Sequence, residues 1–155
     1  MSIVNLLEKN NCIHKKNINL ASGLESKIYY DIKKAAGIPE VFSFIIEQLK
    51  IIIPKNSSIV GVSTGGIPYA AALAYEYKTN FAYIRENKKE YGMNKSVEGF
   101  IDFSKPIYII DDVCTTGKSI LKAQSFLPKN YNYNLVCIID RGLSKLNIQS
   151  VEKII

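Results

Sequence analysis

Four short apolar runs, Ser57–Val62, Phe81–Arg85, Pro106–Ile110 and Tyr133–Ile139, recur about every 25 residues along a chain of 155. Helical patterns lie between them. Pro68–Tyr77 separates the first two, and Lys118–Phe126 the last two. A strand covered on both faces reads as an unbroken apolar run, and a parallel neighbour is reached only through a long crossover, usually a helix. The spacing therefore predicts an α/β fold, a mostly parallel central sheet flanked by helices. Upstream, Pro39 suits a helix start. Val41, Phe42, Ile45, Ile46 and Leu49 form the apolar face of a helix that ends before Pro54.

The N-terminal part reads differently. Ser2–Ile13 has Ile3, Leu6, Leu7 and Asn10 at helical spacing, Leu20–Gly23 is a turn, and Lys27–Ile32 is strand-like. About residues 1–35 thus stand apart from the sheet pattern. Glu86–Gly99 is polar and lysine-rich with two glycines, a pattern for a mobile loop. The last dozen residues are weakly patterned. Nothing resembles a repeat or a low-complexity linker, so 1–155 is read as one domain.

Ligands in parallel sheets bind beyond the carboxyl ends of the strands. Ser63-Thr64, Arg85, Asp111-Asp112 and Asp140-Arg141 all follow such ends. The densest chemistry is in Ile107–Ser119, where an apolar run meets two acids and then Val113-Cys114-Thr115-Thr116-Gly117-Lys118-Ser119 opens a helix. Backbone N–H groups at a helix start favour a phosphate. Adjacent acids suit sugar hydroxyls or a divalent cation. A ribose phosphate asks for both.

Rival motifs fail on spacing. Gly117-Lys118-Ser119 looks like the end of a P-loop, but that motif needs a glycine five positions before its Gly-Lys pair, and Asp112 stands there. Gly61-Val-Ser63-Thr-Gly65 fits a nucleophile elbow, yet the single histidine, His14, lies upstream of the serine rather than downstream. The same turn is one glycine short of a dinucleotide fingerprint, with Ser63 in the middle position. The remaining reading of Ser63–Gly66 is a loop whose N–H groups and missing side chains admit a pyrophosphate.

Composition excludes several classes. No apolar run approaches the roughly 18 residues of a membrane span. The first residues lack the basic segment and cleavage site of a signal peptide. Cys12, Cys114 and Cys137 are scattered, with no Cys-x-x-Cys and one histidine, so neither a disulfide framework nor a zinc site is expected. A reduced, cytoplasmic protein is the expectation. The net charge of +6 is spread over lysines, and only Arg85 and Arg141 of 20 basic residues are arginines. Guanidinium is preferred for bidentate recognition of carboxylate or phosphate, which singles these two out. Basic residues are not interleaved with aromatics, so nucleic acid is not the expected partner.

The Ile107–Ser119 run resembles the phosphoribosyl pyrophosphate signature of type I phosphoribosyltransferases. The wider chain, over roughly residues 20–142, is similar to the orotate phosphoribosyltransferase family. The features that carry the likeness are Ser22-Gly23-Leu-Glu-Ser26 with Tyr29-Tyr30 and Asp31; Gly65-Gly66-Ile-Pro68; Arg85, Lys89, Tyr91-Gly92 and Glu98-Gly99; and Asp140-Arg141. Departures are Ala21, Glu86 and Tyr91, where many members have lysine, lysine and histidine. The resemblance implies a magnesium-dependent enzyme that makes orotidine 5′-monophosphate and pyrophosphate from orotate and phosphoribosyl pyrophosphate. Transfer to another base, or a non-catalytic sensor of phosphoribosyl pyrophosphate, are the alternatives.

It further implies that Asp111 and Asp112 hold the ribose hydroxyls, directly or around the metal. Thr115, Thr116, Gly117 and Ser119 would hold the 5′-phosphate, with Val113, Cys114 and Lys118 counted among the substrate-binding residues of the same stretch. Ser63, Thr64, Gly65, Gly66 and Arg85 would face the pyrophosphate, with Lys89 closing over it. Tyr29 and Tyr30 would cover the base and Arg141 would meet its carboxylate. A small N-terminal hood over about residues 1–35 and a homodimer with shared active sites complete what the resemblance implies, and from the composition no membrane partner is expected.

Overall fold

The computed structural model describes residues 2–20, 23–85 and 96–154. A six-stranded sheet in the order β5-β4-β3-β6-β7-β8 forms the centre: β3 (Ser58–Val62), β4 (Phe81–Ile84), β5 (Val97–Gly99), β6 (Ile107–Cys114), β7 (Tyr133–Asp140) and β8 (Ile148–Lys153). All neighbours are parallel except β4 and β5. β3 is buried at every position, as its unbroken apolar reading requires.

Helices α1 (Ile3–Lys9), α3 (Pro39–Ile52) and α4 (Ile67–Tyr77) build one core with one face of the sheet, where Ile59, Ile110 and Ile138 meet Val41, Ile45, Leu49 and Leu73. The opposite face carries α5 (Lys118–Gln124), whose Ile120 and Ala123 join Val60, Val62, Ile107 and Ile109. Successive residues of β3 and β6 thus serve alternate cores, as the period of two demands. Each fully buried aliphatic side chain contributes about 1.5–3 kcal/mol.

The hood differs from its expected form. The predicted Ser2–Ile13 helix stops at Lys9, and Ile13–Asn19 is a strand, β1, paired antiparallel with β2 (Glu25–Tyr30). Asn11 takes a positive φ of 55° and turns the chain between them. The strand-like reading of Lys27–Ile32 is corrected at its end: Asp31 caps a one-turn helix, α2 (Ile32–Ala35), accepting from the Lys34 N–H at 2.9 Å. At the other end, the weakly patterned tail contains β8. The strand predicted to end at Ile110 continues to Cys114, because Asp111, Val113 and Cys114 still pair with β7. Asp111 and Asp112 therefore lie within the strand, and the turn begins behind them. The expected 86–99 loop ends in β5, while residues 86–95, Lys89 among them, lie outside the described residues. No helix among the described residues is long and apolar enough to cross a membrane.

Candidate active site

A cavity of about 330 Å³ opens at the carboxyl ends of β3, β6 and β7, roofed by the hood. The hood contributes Tyr29, Tyr30 and Lys33, the β3 turn Ser63 and Thr64, β6 and its turn residues 111–119, and the end of β7 Arg141. Most of the predicted residues therefore meet in one place.

The acid pair is asymmetric. Asp111 is nearly inaccessible, and its Oδ1 accepts the Asp112 N–H at 2.9 Å. Burial, and then the Asp112 charge beside it, push the Asp111 carboxyl well above the usual carboxylate range. Asp112 is more open. Its Oδ1 accepts from the Val113 N–H at 2.9 Å, and its Oδ2 from the Lys33 ammonium at 2.8 Å. For Lys33, burial acts to lower the pKa, but the Asp112 charge and hydrogen bond, with Tyr29 and Asp111 behind them, outweigh it and leave the pKa raised.

Beyond Cys114 the turn carries a conformation that only its sequence permits. Gly117 has φ 84°, in the left-handed region where a side chain is strained, and directly precedes α5. The N–H groups of Thr115, Thr116 and Lys118 make no backbone hydrogen bond among the described residues. Such donors, with the Thr115, Thr116 and Ser119 hydroxyls, suit a phosphate.

The Ser63–Gly66 turn, expected to face a pyrophosphate, is tied into the sheet. The Ser63 hydroxyl donates to the Ile84 carbonyl at 2.6 Å, tying the turn to β4, and the Ser63–Thr64 peptide bond is cis. Gly65 and Gly66 are buried behind the cavity wall. A Cβ on Gly65 would strike the Asp112 carboxylate, and one on Gly66 the Ile110 carbonyl. Their missing side chains let the turn approach β6 and the acid pair. Arg85 stands outside the cavity and pairs with Glu98 at 3.6 Å, its N–H on the Ser96 carbonyl.

Arg141 is held by the hood. Its Nη1 donates to the Ile28 carbonyl at 2.9 Å, its Nη2 to Ser26 Oγ at 2.6 Å, and its guanidinium lies 5.7 Å from the Tyr30 ring centroid. Its N–H bonds the Cys114 carbonyl, so it joins β2, β6 and β7. The sequence reading missed Lys33 altogether. The signal available was Asp31 as a helix cap directly after Tyr30, which projects the next turn over the sheet. Among the described residues no group of three acids, histidines or cysteines could hold a metal. Two carboxylates completed by substrate oxygens is nonetheless a donor set that magnesium accepts.

Comparison with known proteins agrees with this geometry. The phosphoribosyl transferase domain family matches residues 26–155. The orotate phosphoribosyltransferase of Pyrobaculum aerophilum is 42% identical over 106 residues, which cover 67% of this chain and 55% of that protein. That of Methanocaldococcus jannaschii is 34% identical over 96% of this chain and 90% of its own length. The first relatives are thus matched over about half their length. The crystal structure of orotate phosphoribosyltransferase from Aeropyrum pernix superposes with a TM-score of 0.77 at 25% identity, covering 97% of this chain and 93% of that one. On the family match over residues 26–155 and on a relative matched over nearly the whole chain, the protein belongs to the phosphoribosyltransferase family, among the orotate phosphoribosyltransferases.

Proposed function

We propose that the protein transfers the ribosyl phosphate of phosphoribosyl pyrophosphate to orotate, giving orotidine 5′-monophosphate and pyrophosphate in pyrimidine biosynthesis. The observation that carries this is the meeting, in one cavity, of an acid pair, a hydroxyl-rich turn with unspent N–H groups, and a hood bearing Tyr29, Tyr30 and Arg141. Family membership supports it.

In this reading the Thr115–Ser119 turn holds the 5′-phosphate, and Asp111 and Asp112 take the ribose hydroxyls. As the bond to pyrophosphate breaks, the ribosyl group becomes oxocarbenium-like, and the carboxylates stabilise it at short range in a cavity that limits water. The ring nitrogen of orotate, held beneath the tyrosines, forms the new bond at the same carbon. The protein supplies positioning and charge rather than a covalent partner. Magnesium fits the two carboxylates together with substrate oxygens, and when bound it neutralises charge on the pyrophosphate. Lys89 is carried over from the resemblance as a further pyrophosphate ligand.

Incubation with phosphoribosyl pyrophosphate, magnesium and a panel of bases tests the reading. Orotidine monophosphate from orotate alone is expected. Product from a purine reassigns the base, and binding of phosphoribosyl pyrophosphate without turnover points to a sensor.

Arg141→Ala is expected to raise the KM for orotate tenfold to hundredfold, the worth of a charge-assisted bond to a carboxylate at roughly 1.5–3 kcal/mol. Because Arg141 also anchors β2, thermal unfolding should show a smaller loss of stability alongside. Equal KM effects on both substrates would make Arg141 only an anchor.

The resemblance also supports a homodimer with shared sites. Mixing Lys89→Ala protein with Asp111→Asn/Asp112→Asn protein should then restore part of the activity, since each mixed dimer carries one intact site. No recovery after demonstrated subunit exchange would place Lys89 within its own subunit's site or outside the chemistry.

A further inference from the structure

Three cations line the cavity among the described residues. Lys118 stands in the Thr115–Ser119 turn, and Lys33 reaches it from the hood. The third cation, Arg141, spends two N–H groups on Ile28 and Ser26. Lys33 has a fixed place. The Ile32 carbonyl accepts from the buried Tyr69 hydroxyl of α4 at 2.7 Å, and the Asp31 N–H donates to the Cys12 carbonyl at 2.8 Å. The root of the side chain is thereby clamped to α4 on one side and to the start of the hood on the other.

Its ammonium bonds Asp112 Oδ2 at 2.8 Å, the same oxygen that a Cβ on Gly65 would strike. Lys33 therefore bonds the carboxylate that packs against Gly65 of the Ser63–Gly66 turn. An ammonium carries three donors, and one is used on Asp112. The side chain remains about half exposed, at 54%, toward a cavity read as receiving an anion. An exposed lysine held only by an ion pair contributes little to stability, so folding alone does not account for a lysine clamped at its root and aimed at an acid of the site.

We propose that Lys33 binds the pyrophosphate group of the substrate while keeping its bond to Asp112, which makes it a substrate-binding residue that couples the acid pair to the leaving group. This rests on the reading that phosphoribosyl pyrophosphate is the substrate. A substrate with phosphate at both ends of a ribose needs cations at more than one place in the cavity, and among the described residues Lys33 is the cavity cation bonded to the acid that packs against Gly65.

The test uses the whole chain with Lys33→Met and Lys33→Arg. Calorimetry measures binding of inorganic pyrophosphate and of phosphoribosyl pyrophosphate, each with magnesium, and kinetics measures both KM values. Lys33→Met should weaken both ligands roughly tenfold to hundredfold, as loss of one charge-assisted bond does. The KM for phosphoribosyl pyrophosphate should rise in parallel while that for orotate stays within about twofold, since binding is lost at one end only. Lys33→Arg, which keeps the charge, should recover most of the affinity. Unchanged pyrophosphate affinity in Lys33→Met, or a fall in kcat alone, would overturn the proposal and leave Lys33 acting only through Asp112. If the wild-type protein binds both ligands yet fails to use orotate, the choice of base falls and the role of Lys33 stands or falls on the affinities. If the wild-type protein binds neither, both readings fall.

Discussion

Asp111→Asn combined with Asp112→Asn is expected to reduce kcat at least roughly 10³-fold while the protein stays folded. Removing one preorganised electrostatic group from a charged transition state costs about 2.7–4 kcal/mol. Here two groups go, although acids that act as a unit lose less than the sum of their separate effects. The fold should survive because asparagine keeps a carbonyl oxygen where Asp111 Oδ1 accepts the Asp112 N–H and Asp112 Oδ1 accepts that of Val113. Asp111 adds a sign that can be measured separately. Its folded pKa is raised, first by burial and then by Asp112, so its contribution to stability is fully present below the unfolded carboxylate range. That contribution is lost as pH rises through the folded pKa. In ligand-free protein, Asp111→Asn alone should therefore unfold at a higher temperature than wild type near pH 7.5, and the gap should narrow as pH falls toward about 4. Near-normal turnover in the double variant would sink the mechanism. A destabilised single variant at neutral pH would show that Asp111 is held ionised at no cost.

What was legible in the sequence follows from how each element is stabilised. β3, β4, β6 and β7 are buried by helices or neighbouring strands, so their side chains had to be apolar in runs. The acids and the Thr115–Ser119 turn were legible because polar groups at the ends of such runs serve no core. β1 was not, since Ile13–Asn19 is half exposed and its His14-Lys15-Lys16 carries no apolar alternation; only its pairing with β2 makes it a strand. β8, at the sheet edge, has the same weakness. The strand character of Asp111–Cys114 depends on ladder bonds to β7 rather than on its side chains. Lys33 was invisible for a different reason: its partner, Asp112, lies 79 residues away and is met only through the fold. The glycines of the Ser63–Gly66 turn suggest in the sequence an approach by pyrophosphate; within the protein it is β6 that lies against them.

That last point separates two neighbouring substitutions. Gly66→Ala places its Cβ on the Ile110 carbonyl, backbone of β6 at the position that pairs with Gly61 of β3. Backbone in the middle of a sheet cannot swing aside, and the φ of −77° at Gly66 is one alanine adopts freely, so collision is the whole effect. Overpacking of this kind costs about 3 kcal/mol or more, which lowers Tm by roughly 6–12 °C in a chain of this size. Gly65→Ala meets instead the Asp112 side chain: the carboxylate can rotate away, while the Asp112 Cβ, 2.7 Å from the new methyl, has to be pushed aside with β6. Its Tm should fall too, by roughly 2–8 °C. A cost also appears in activity, because Asp112 leaves its place beside Lys33, and a displacement of about 1 Å at such a site lowers turnover on the order of 10²-fold. Thermal unfolding and initial rates on the two purified variants give the comparison. A Gly65→Ala protein with wild-type rates would mean that the position of Asp112 is not what the turn protects. A Gly66→Ala protein with wild-type Tm would mean that β6 yields where the packing says it cannot.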